Sequence, residues 1–303
     1  MTLENQAGEP AGSCRTASCM YVTDRNTNAV TVYAEGAAGN VAPLETISGS
    51  NTLLLSPVGI FVDSGRAIHV ANYGGNTVTV YAAGKTGNVA PTSTIAGPHT
   101  LLNGPDSVAV DAGGVSYVAD WSNNSLTVYK KGAHGDVKPI RTISGGSTTL
   151  SGPVGIALDA APKLYVANLE ANSVAVFAAG AKGNVAPVQA ISGSNTLLNG
   201  PGGVAVDTAR KIYVANSYGN SVTVYAAGAT GNVAPIRTIS GANTGLTYPT
   251  QVALDAHHYI YVTNRDANSV TVYAPSAKGN VAPVRILSGS KTTLTSPAGI
   301  SLQ

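Results

Sequence analysis

Apolar residues along this chain occur in short runs separated by polar residues, without the periodicity of long amphipathic helices. One stretch, beginning at Gly152, reads GPVGIALDAAPKLYVANLEANSVAVFAAGAKGNVAPVQAISG. Residues typical of turns divide it into four apolar runs, which we call a (VGIALD), b (KLYVAN), c (SVAVFAAG) and d (PVQAISG). Runs a and b are almost continuously apolar, as is typical of strands covered on both faces. The pattern therefore predicts four short β-strands in this stretch.

The same pattern returns at a fixed interval of 48 residues without insertion or deletion. The interval is kept by the proline that opens run a, by a second proline column and by a valine of run b. These columns are Pro57, Pro105, Pro153, Pro201, Pro249 and Pro297; Pro43, Pro91, Pro139, Pro187, Pro235 and Pro283; and Val22, Val70, Val118, Val166, Val214 and Val262. Four strands in each repeat of about 40 to 50 residues are the signature of a β-propeller blade.

The chain begins at run b and stops after run a, yet each kind of run occurs six times. The final run, SPAGISLQ, would supply the inner strand of a blade whose other three strands open the chain. Such pairing closes the ring and leaves no open blade at either end. We therefore predict an all-β, six-bladed β-propeller with four antiparallel strands per blade over residues 20–303, and a polar leader over residues 1–19.

Composition narrows the range of partners. Charged residues make up 11% of the chain and the formal net charge is +2, which does not favour nucleic acid or an anionic membrane surface. The sequence has no apolar run of about 18 residues, so we predict no membrane span. Residues 1–19 lack the apolar core of a signal peptide. We expect a monomer without a cofactor, whose partner is a protein, a glycan or a small molecule.

Both cysteines, Cys14 and Cys19, precede the repeats. Their spacing allows a small disulfide loop and equally allows two free thiols. A zinc site would need about four ligands, and no other Cys or His lies nearby. The polar leader, the possible disulfide and the low charge lead us to expect an extracellular or periplasmic location.

Phrases such as PVGIALD, KLYVAN and NSVAVF resemble NHL-repeat propellers and the wider six-bladed group that includes lactonase-like and lyase propellers. The resemblance covers residues 20–303 and implies the fold. It implies no single activity, because members of the group include enzymes, RNA binders and protein-binding scaffolds. The chain also departs from the usual NHL pattern. That pattern has Asp after YVA and Arg in NNRV, where this chain has, for example, Asn168 and Ser173.

Columns that are uniform across the blades are explained by structure. The aspartates that end run a, and the asparagines of the b–c turns and of the GNVAP segments, are residues that bond to the backbone of tight turns. These columns are Asp63, Asp111, Asp159, Asp207 and Asp255, and Asn28, Asn76, Asn124, Asn172, Asn220 and Asn268.

Function is better sought where the blades differ. In an antiparallel blade the d–a loops and b–c turns share one face. The first residue of the b–c tip varies most: it is Arg25, Tyr73, Trp121, Leu169, Ser217 or Arg265. On the same face, Asp106 and Gln251 replace small residues of other blades. Aromatic and Arg side chains at a concave mouth are typical of recognition sites. We therefore predict a ligand-binding site formed by Arg25, Tyr73, Asp106, Trp121, Gln251 and Arg265. The alternative is that exposed turns simply tolerate substitution.

Catalytic motifs are absent from the sequence, and we identify no catalytic residue. A lactonase-like metal site would need several acidic and amide ligands, and Asp106 is the one acid placed at the inner rim, so we expect no metal. The sequence thus favours a non-enzymatic binding or scaffold propeller. The alternatives are a lyase- or lactonase-like enzyme with a site in the central channel, and a structural ring that only displays loops.

Overall fold

Six four-stranded antiparallel sheets surround a central channel in the computed structural model, which describes Cys14 and residues 18–303. Blade 1 contains β1 (Cys19–Asp24), β2 (Ala29–Ala34), β3 (Glu45–Ile47) and β24 (Pro297–Leu302). Blade 2 contains β4 (Pro57–Val62), β5 (Ile68–Asn72), β6 (Thr77–Tyr81) and β7 (Ser93–Ile95). Blade 3 contains β8 (Pro105–Val110), β9 (Ser116–Asp120), β10 (Ser125–Tyr129) and β11 (Arg141–Ser144).

Blade 4 contains β12 (Pro153–Leu158), β13 (Leu164–Asn168), β14 (Ser173–Phe177) and β15 (Gln189–Ser192). Blade 5 contains β16 (Pro201–Val206), β17 (Ile212–Asn216), β18 (Ser221–Tyr225) and β19 (Arg237–Ser240). Blade 6 contains β20 (Pro249–Leu254), β21 (Ile260–Asn264), β22 (Ser269–Tyr273) and β23 (Arg285–Ser288). Single 3₁₀ turns lie at Ser50–Thr52, Pro98–Thr100, Trp121–Asn123, Gly146–Thr148, Ser194–Thr196, Ala242–Thr244 and Ser290–Thr292.

The predicted six-bladed propeller is confirmed, and the outer two strands of each blade are shorter than the sequence suggests. In blade 4, run c ends as a strand at Phe177 because the following Ala-Ala-Gly forms a turn in which Gly180 has φ +77°. The outer strand begins only at Gln189, two residues after a proline that has no N–H to donate.

Closure of the ring is confirmed as well. Strand β24 pairs antiparallel with β1, with Met20 opposite Leu302 and Val22 opposite Ile300. Cys19 and Gln303 extend the pairing through two reciprocal backbone hydrogen bonds of 2.8 and 3.0 Å. The last strand is therefore the inner strand of blade 1.

The hydrophobic core lies between neighbouring blades. The valine column of the second strands is fully buried in every blade: Val22, Val70, Val118, Val166, Val214 and Val262. β-Branched residues suit such strands, which are covered on both faces. Burying one valine side chain stabilises the fold by roughly 1.5 kcal/mol or more.

The asparagines of the b–c turns also connect neighbouring blades. In blade 2, Asn76 has φ +50°, and its Oδ1 accepts a hydrogen bond of 2.7 Å from the backbone N–H of Gly104, at the entrance to blade 3. Asparagine of the GNVAP segment likewise joins blades, since Asn88 Oδ1 accepts from the backbone N–H of Asn51 at 2.7 Å. Both columns therefore fix the angle between adjacent blades.

The aspartates that follow the inner strands form the predicted turns. Asp111 Oδ1 accepts from the backbone N–H of Val115 at 3.0 Å, and its Oδ2 accepts from the Tyr117 hydroxyl at 3.2 Å. In blade 2 a histidine replaces this tyrosine, and His69 Nε2 lies 3.1 Å from Asp63 Oδ2. These contacts explain why the column is uniform.

Of the predicted leader, Cys14, Ser18 and Cys19 are among the described residues, and β1 begins at Cys19. The structure contains a disulfide between Cys14 and Cys19, whose Cα atoms are 5.7 Å apart. Both cysteines are buried, and Arg66 donates a hydrogen bond to the Cys14 carbonyl oxygen. Cys14 is thus held to the β4–β5 turn of blade 2.

Candidate functional site

A pocket of about 220 Å³ opens at the mouth of the central channel, on the face of the b–c turns and d–a loops. All six residues that the sequence singled out as a binding site line this pocket: Arg25, Tyr73, Asp106, Trp121, Gln251 and Arg265. The other lining residues are Val58, Gly59, Ser107, Val154, Gly155, Leu169, Gly202, Ser217, Tyr248, Thr250, Ala298 and Gly299. The mouth therefore joins residues from all six blades.

Two structural positions supply most of these side chains. The first follows the end of each second strand, as Trp121 follows β9, and forms the rim. The second lies at the start of each inner strand, where the pairing with the second strand shifts register, as between Pro105 and Ser107. A β-bulge of this kind re-aims side chains, and it lets Asp106 line the mouth.

On one side of the rim, three side chains from adjoining blades stack in sequence. The rings of Trp121 and Tyr73 are 6.1 Å apart at an angle of 52°. The Arg25 guanidinium lies 5.0 Å from the centroid of the Tyr73 ring. Tilted ring pairs and cation–π contacts of this kind are each worth roughly 0.5 to 1.5 kcal/mol. The result is a continuous row of aromatic rings with a cation at one end.

A second stack continues the arc in blades 5 and 6. The Arg265 guanidinium lies 3.5 Å from the Tyr248 ring centroid, and Tyr248 meets Tyr218 edge-on at 5.8 Å. Asp266 Oδ1 accepts a hydrogen bond of 2.9 Å from Arg265 Nε. The sequence prediction did not include Tyr248. Its signal is a large aromatic residue in a column that elsewhere holds glycine or serine.

Apolar side chains line the mouth on the side of blades 3 and 4. Trp121 and Leu169 both pack against a hydrophobic cluster that includes Val154 of blade 4. Its indole Nε1 is buried without a hydrogen-bond partner among the described residues. Buried indole N–H groups usually find a partner. The pocket is therefore amphipathic, with arginines on the side of blades 6 and 1 and apolar groups on the side of blades 3 and 4.

Asp106 is the acidic residue of the pocket. It lies half-buried near the start of β8, where it lines the mouth. Burial raises the pKa of Asp106 to about 7, although the positive charge of Arg25 opposes this rise. A carboxyl group with a pKa near neutrality, placed in a cleft, is a typical property of functional sites.

Gln251 and its neighbours form the floor of the mouth. Gln251 Oε1 accepts a hydrogen bond of 3.1 Å from the backbone N–H of Val252. The amide packs so closely on blade 5 that a Cβ at Gly203 would come within 2.1 Å of Oε1, which explains the glycine there. Beside it, the Thr250 hydroxyl donates to the Ala298 carbonyl oxygen at 2.8 Å.

Below this floor, the channel widens into a second cavity of about 580 Å³ that reaches the opposite face. Ser107 and Gln251 line both cavities and thus separate them. Most of the channel wall is apolar, and Asp111 and Asp159 are its ionisable residues. Within residues 18–303 and Cys14, no three His, Cys, Asp or Glu side chains are arranged to hold a metal ion. No described helix is long and apolar enough to cross a membrane.

The fold and the channel-mouth pocket define a β-propeller with a pocket on its axis. The family model described as "Lactonase, 7-bladed beta-propeller" matches residues 13–285, and the chain belongs to this family. The described part of this chain forms six blades, one fewer than the family description states. The comparison supports the predicted relation to lactonase-like propellers, whereas membership of the NHL repeats is not shown. No curated protein matches the chain.

Solved structures show the same fold at low sequence identity. The nidogen/laminin complex matches with a TM-score of 0.67 and 16% identity over 94% of this chain and 98% of that chain. A streptogramin B lyase matches with a TM-score of 0.64 and 14% identity over 95% and 85% of the two chains. A putative 6-phosphogluconolactonase from Bacteroides uniformis matches with a TM-score of 0.62 and 16% identity over 94% and 84%. At such identities the likeness shows the fold alone.

Proposed function

We propose that the channel-mouth pocket binds a small molecule that combines an anionic or carbonyl group with a flat, apolar part. Arg25 and Arg265 present planar donors that suit a carboxylate or a carbonyl oxygen. Trp121, with Val154 and Leu169 beside it, presents the apolar area. The volume of about 220 Å³ suits a small molecule better than a protein segment.

The observation that carries this proposal is the stack of Trp121, Tyr73 and Arg25. The three residues belong to three different blades, and each occupies the tip position that differs most between repeats. Aromatic and Arg anchors in a concave site contribute most to binding energy. A ring built only for stability has no need of such a set at a half-exposed rim.

The test uses isothermal titration calorimetry with a panel of aromatic carboxylates and lactones, each including an indole- or naphthalene-sized ring. For any compound that binds, Trp121→Ala combined with Tyr73→Ala should weaken binding by about 30-fold or more, which corresponds to ~2 kcal/mol. Trp121→Phe should retain most of the affinity because it keeps a flat ring.

The control is Ile140→Ala, which removes an exposed apolar side chain from the outer edge of blade 3. It should leave binding unchanged, since the residue lies far from the channel. A compound that binds equally well to the wild type and to the double variant would place the site elsewhere and refute the proposal.

Lactone hydrolysis is a second candidate function, favoured by the family match and by Asp106. In this reaction the Asp106 carboxylate would take a proton from water as the water adds to the lactone carbonyl. The ring C–O bond would then break, and Asp106 would return the proton to the leaving alkoxide oxygen to give a hydroxy acid. A base with a pKa of about 7 is half ionised at neutral pH, which suits this role.

Hydrolysis predicts a rate that rises with pH through about 7 as Asp106 ionises, and Asp106→Asn should abolish that rise. Product formation from the same panel of lactones, followed by mass spectrometry, measures it. Binding without turnover in the wild type would favour the non-enzymatic function, and turnover that survives in Asp106→Asn would exclude Asp106 as the base.

A further inference from the structure

Tyr248 occupies a position where the backbone is left-handed in blades 2 to 6. It precedes the proline that opens β20, and the same column holds Gly104, Gly152 and Gly200 in blades 3 to 5. The φ angle is +49° at Tyr248 and +58° to +62° at the three glycines. This conformation is disfavoured for any residue with a Cβ, and most strongly for a bulky one.

The backbone turn does not require the tyrosine side chain. The N–H of Tyr248 donates to Asn220 Oδ1 at 2.7 Å, and its carbonyl oxygen accepts from the backbone N–H of Arg265 at 3.2 Å. Gly104 makes the corresponding bond in blade 3, to Asn76 Oδ1 at 2.7 Å. The Tyr248 ring is also partly exposed and belongs to no core cluster.

The ring instead contacts the cation of the mouth. Its face lies 3.5 Å from the Arg265 guanidinium carbon, while Asp266 accepts from Nε of the same group. Tyr218 supports the ring from its edge. The guanidinium is thereby fixed by its face and by its Nε, and the two terminal nitrogens carry the remaining donors.

We propose that Tyr248 is a positioning residue, kept in a strained turn because it holds the Arg265 guanidinium in place at the channel mouth. This inference rests on the proposed function, since it takes the mouth to be the ligand site. A cation held in place before binding loses less conformational freedom when an anionic or carbonyl group arrives. A tyrosine is then kept at this position, despite its strained backbone, because its ring serves ligand binding.

The first experiment needs no ligand. The ¹⁵N relaxation of the Arg265 Nε–H group is measured in the wild type, in Tyr248→Phe and in Tyr248→Gly. We expect a rigid group in the first two proteins and a mobile one in the third. Arg25, which stacks on Tyr73 instead, should give the same relaxation in all three. Equal mobility of Arg265 in all three proteins would overturn the proposal.

The second experiment compares stability with binding, using 2-naphthoate as the probe in calorimetry. Ser56→Gly is the matched control, because Ser56 has φ +47° at the same turn of blade 2 and does not line the mouth. Both glycine variants should melt at or above the wild-type temperature. Affinity for 2-naphthoate should fall at least tenfold in Tyr248→Gly and stay unchanged in Ser56→Gly and Tyr248→Phe.

The outcomes separate the two proposals. If Tyr248→Gly melts several degrees lower than the wild type while Ser56→Gly does not, the ring is structural and the positioning role is wrong. If 2-naphthoate does not bind the wild type at all, the proposed ligand class fails for this probe. The relaxation of Arg265 still decides the positioning role in that case.

Discussion

Asp120 places a carboxyl group where four other blades place an amide. The equivalent residues are Asn72, Asn168, Asn216 and Asn264. Asp120 is fully buried, and its carboxyl accepts hydrogen bonds from the Thr127 hydroxyl at 2.7 Å and from the backbone N–H of Asn103 at 3.3 Å. Burial raises the pKa of Asp120 to about 7, because these two hydrogen bonds offset only part of the desolvation.

This rise in pKa makes stability depend on pH. The protonated carboxyl is favoured in the folded state, so its full contribution is present below the unfolded pKa of 3.8. The free energy of unfolding then falls as pH rises, until the carboxyl is ionised in the folded state above about pH 7. Each pKa unit corresponds to ~1.4 kcal/mol, so a shift of about three units removes up to ~4 kcal/mol by pH 8.

Asp120→Asn should abolish this loss, since an amide does not ionise and the neighbouring blades already use it. We expect the variant to match the wild type near pH 4 and to exceed it by up to ~4 kcal/mol at pH 8. For a domain of this size that difference is roughly 10 °C in melting temperature. Urea unfolding followed by circular dichroism at pH 4, 6 and 8 measures the difference. All other ionisable groups titrate in both proteins, so their effect cancels in the difference between the two free energies of unfolding.

Two controls share this column. Asn216→Asp introduces the same buried carboxyl in blade 5 beside Thr223, and it should be destabilising at pH 8 but not at pH 4. Asp24 is buried too, but backbone N–H donors at Thr295 and Ser296 outweigh the effect of burial and lower its pKa. Asp24→Asn should therefore destabilise at neutral pH. If Asp120→Asn shows the same stability difference at pH 4 and pH 8, the argument from desolvation is refuted.

The remaining predictions concern closure and the disulfide. Deletion of residues 296–303 removes β24, leaves β1 as an open edge and should cause aggregation or a large drop in melting temperature. A truncated protein that melts within a few degrees of the full chain would contradict this. Reduction of the bond between Cys14 and Cys19 should raise the intact mass of freshly purified protein by two hydrogen atoms, as measured by mass spectrometry. An unchanged mass would mean that the thiols are free.

The architecture could be predicted because the repeat keeps one length throughout. Six repeats at an interval of 48 residues, without insertion, fix the number of blades. The first repeat lacks run a and the last run of the chain is run a, so the two were expected to pair, as β24 and β1 do. Strand ends were less predictable. Alanines 178 and 179 are as apolar as the preceding strand, and the turn depends on Gly180, whose left-handed φ is not written in the pattern of apolar residues.

The residues of the mouth could be predicted for the opposite reason, because they break the repeat. Differences at one tip position pointed to Trp121 and Arg265, and the ring geometry then placed them around one pocket. Two features stayed hidden. The contact of Tyr248 with Arg265 depends on side-chain directions in the folded rim. Asp and Asn both suit a turn, so the sequence does not distinguish Asp120 from the asparagines of its column. Its raised pKa results from burial, which only the folded structure shows.

Three departures from the repeat that carry a cost lie together at one end of the ring. Asp106 is a desolvated acid, Tyr248 is a strained aromatic residue, and Trp121 has a buried N–H without a partner, and all three line the channel mouth. At the opposite end, the aspartate turns repeat from blade to blade with nearly the same hydrogen bonds, as at Asp111 and Asp159. Six equivalent junctions would be satisfied by six equivalent sequences. The coincidence of these three costs at one pocket supports the proposal that a ligand binds at that mouth.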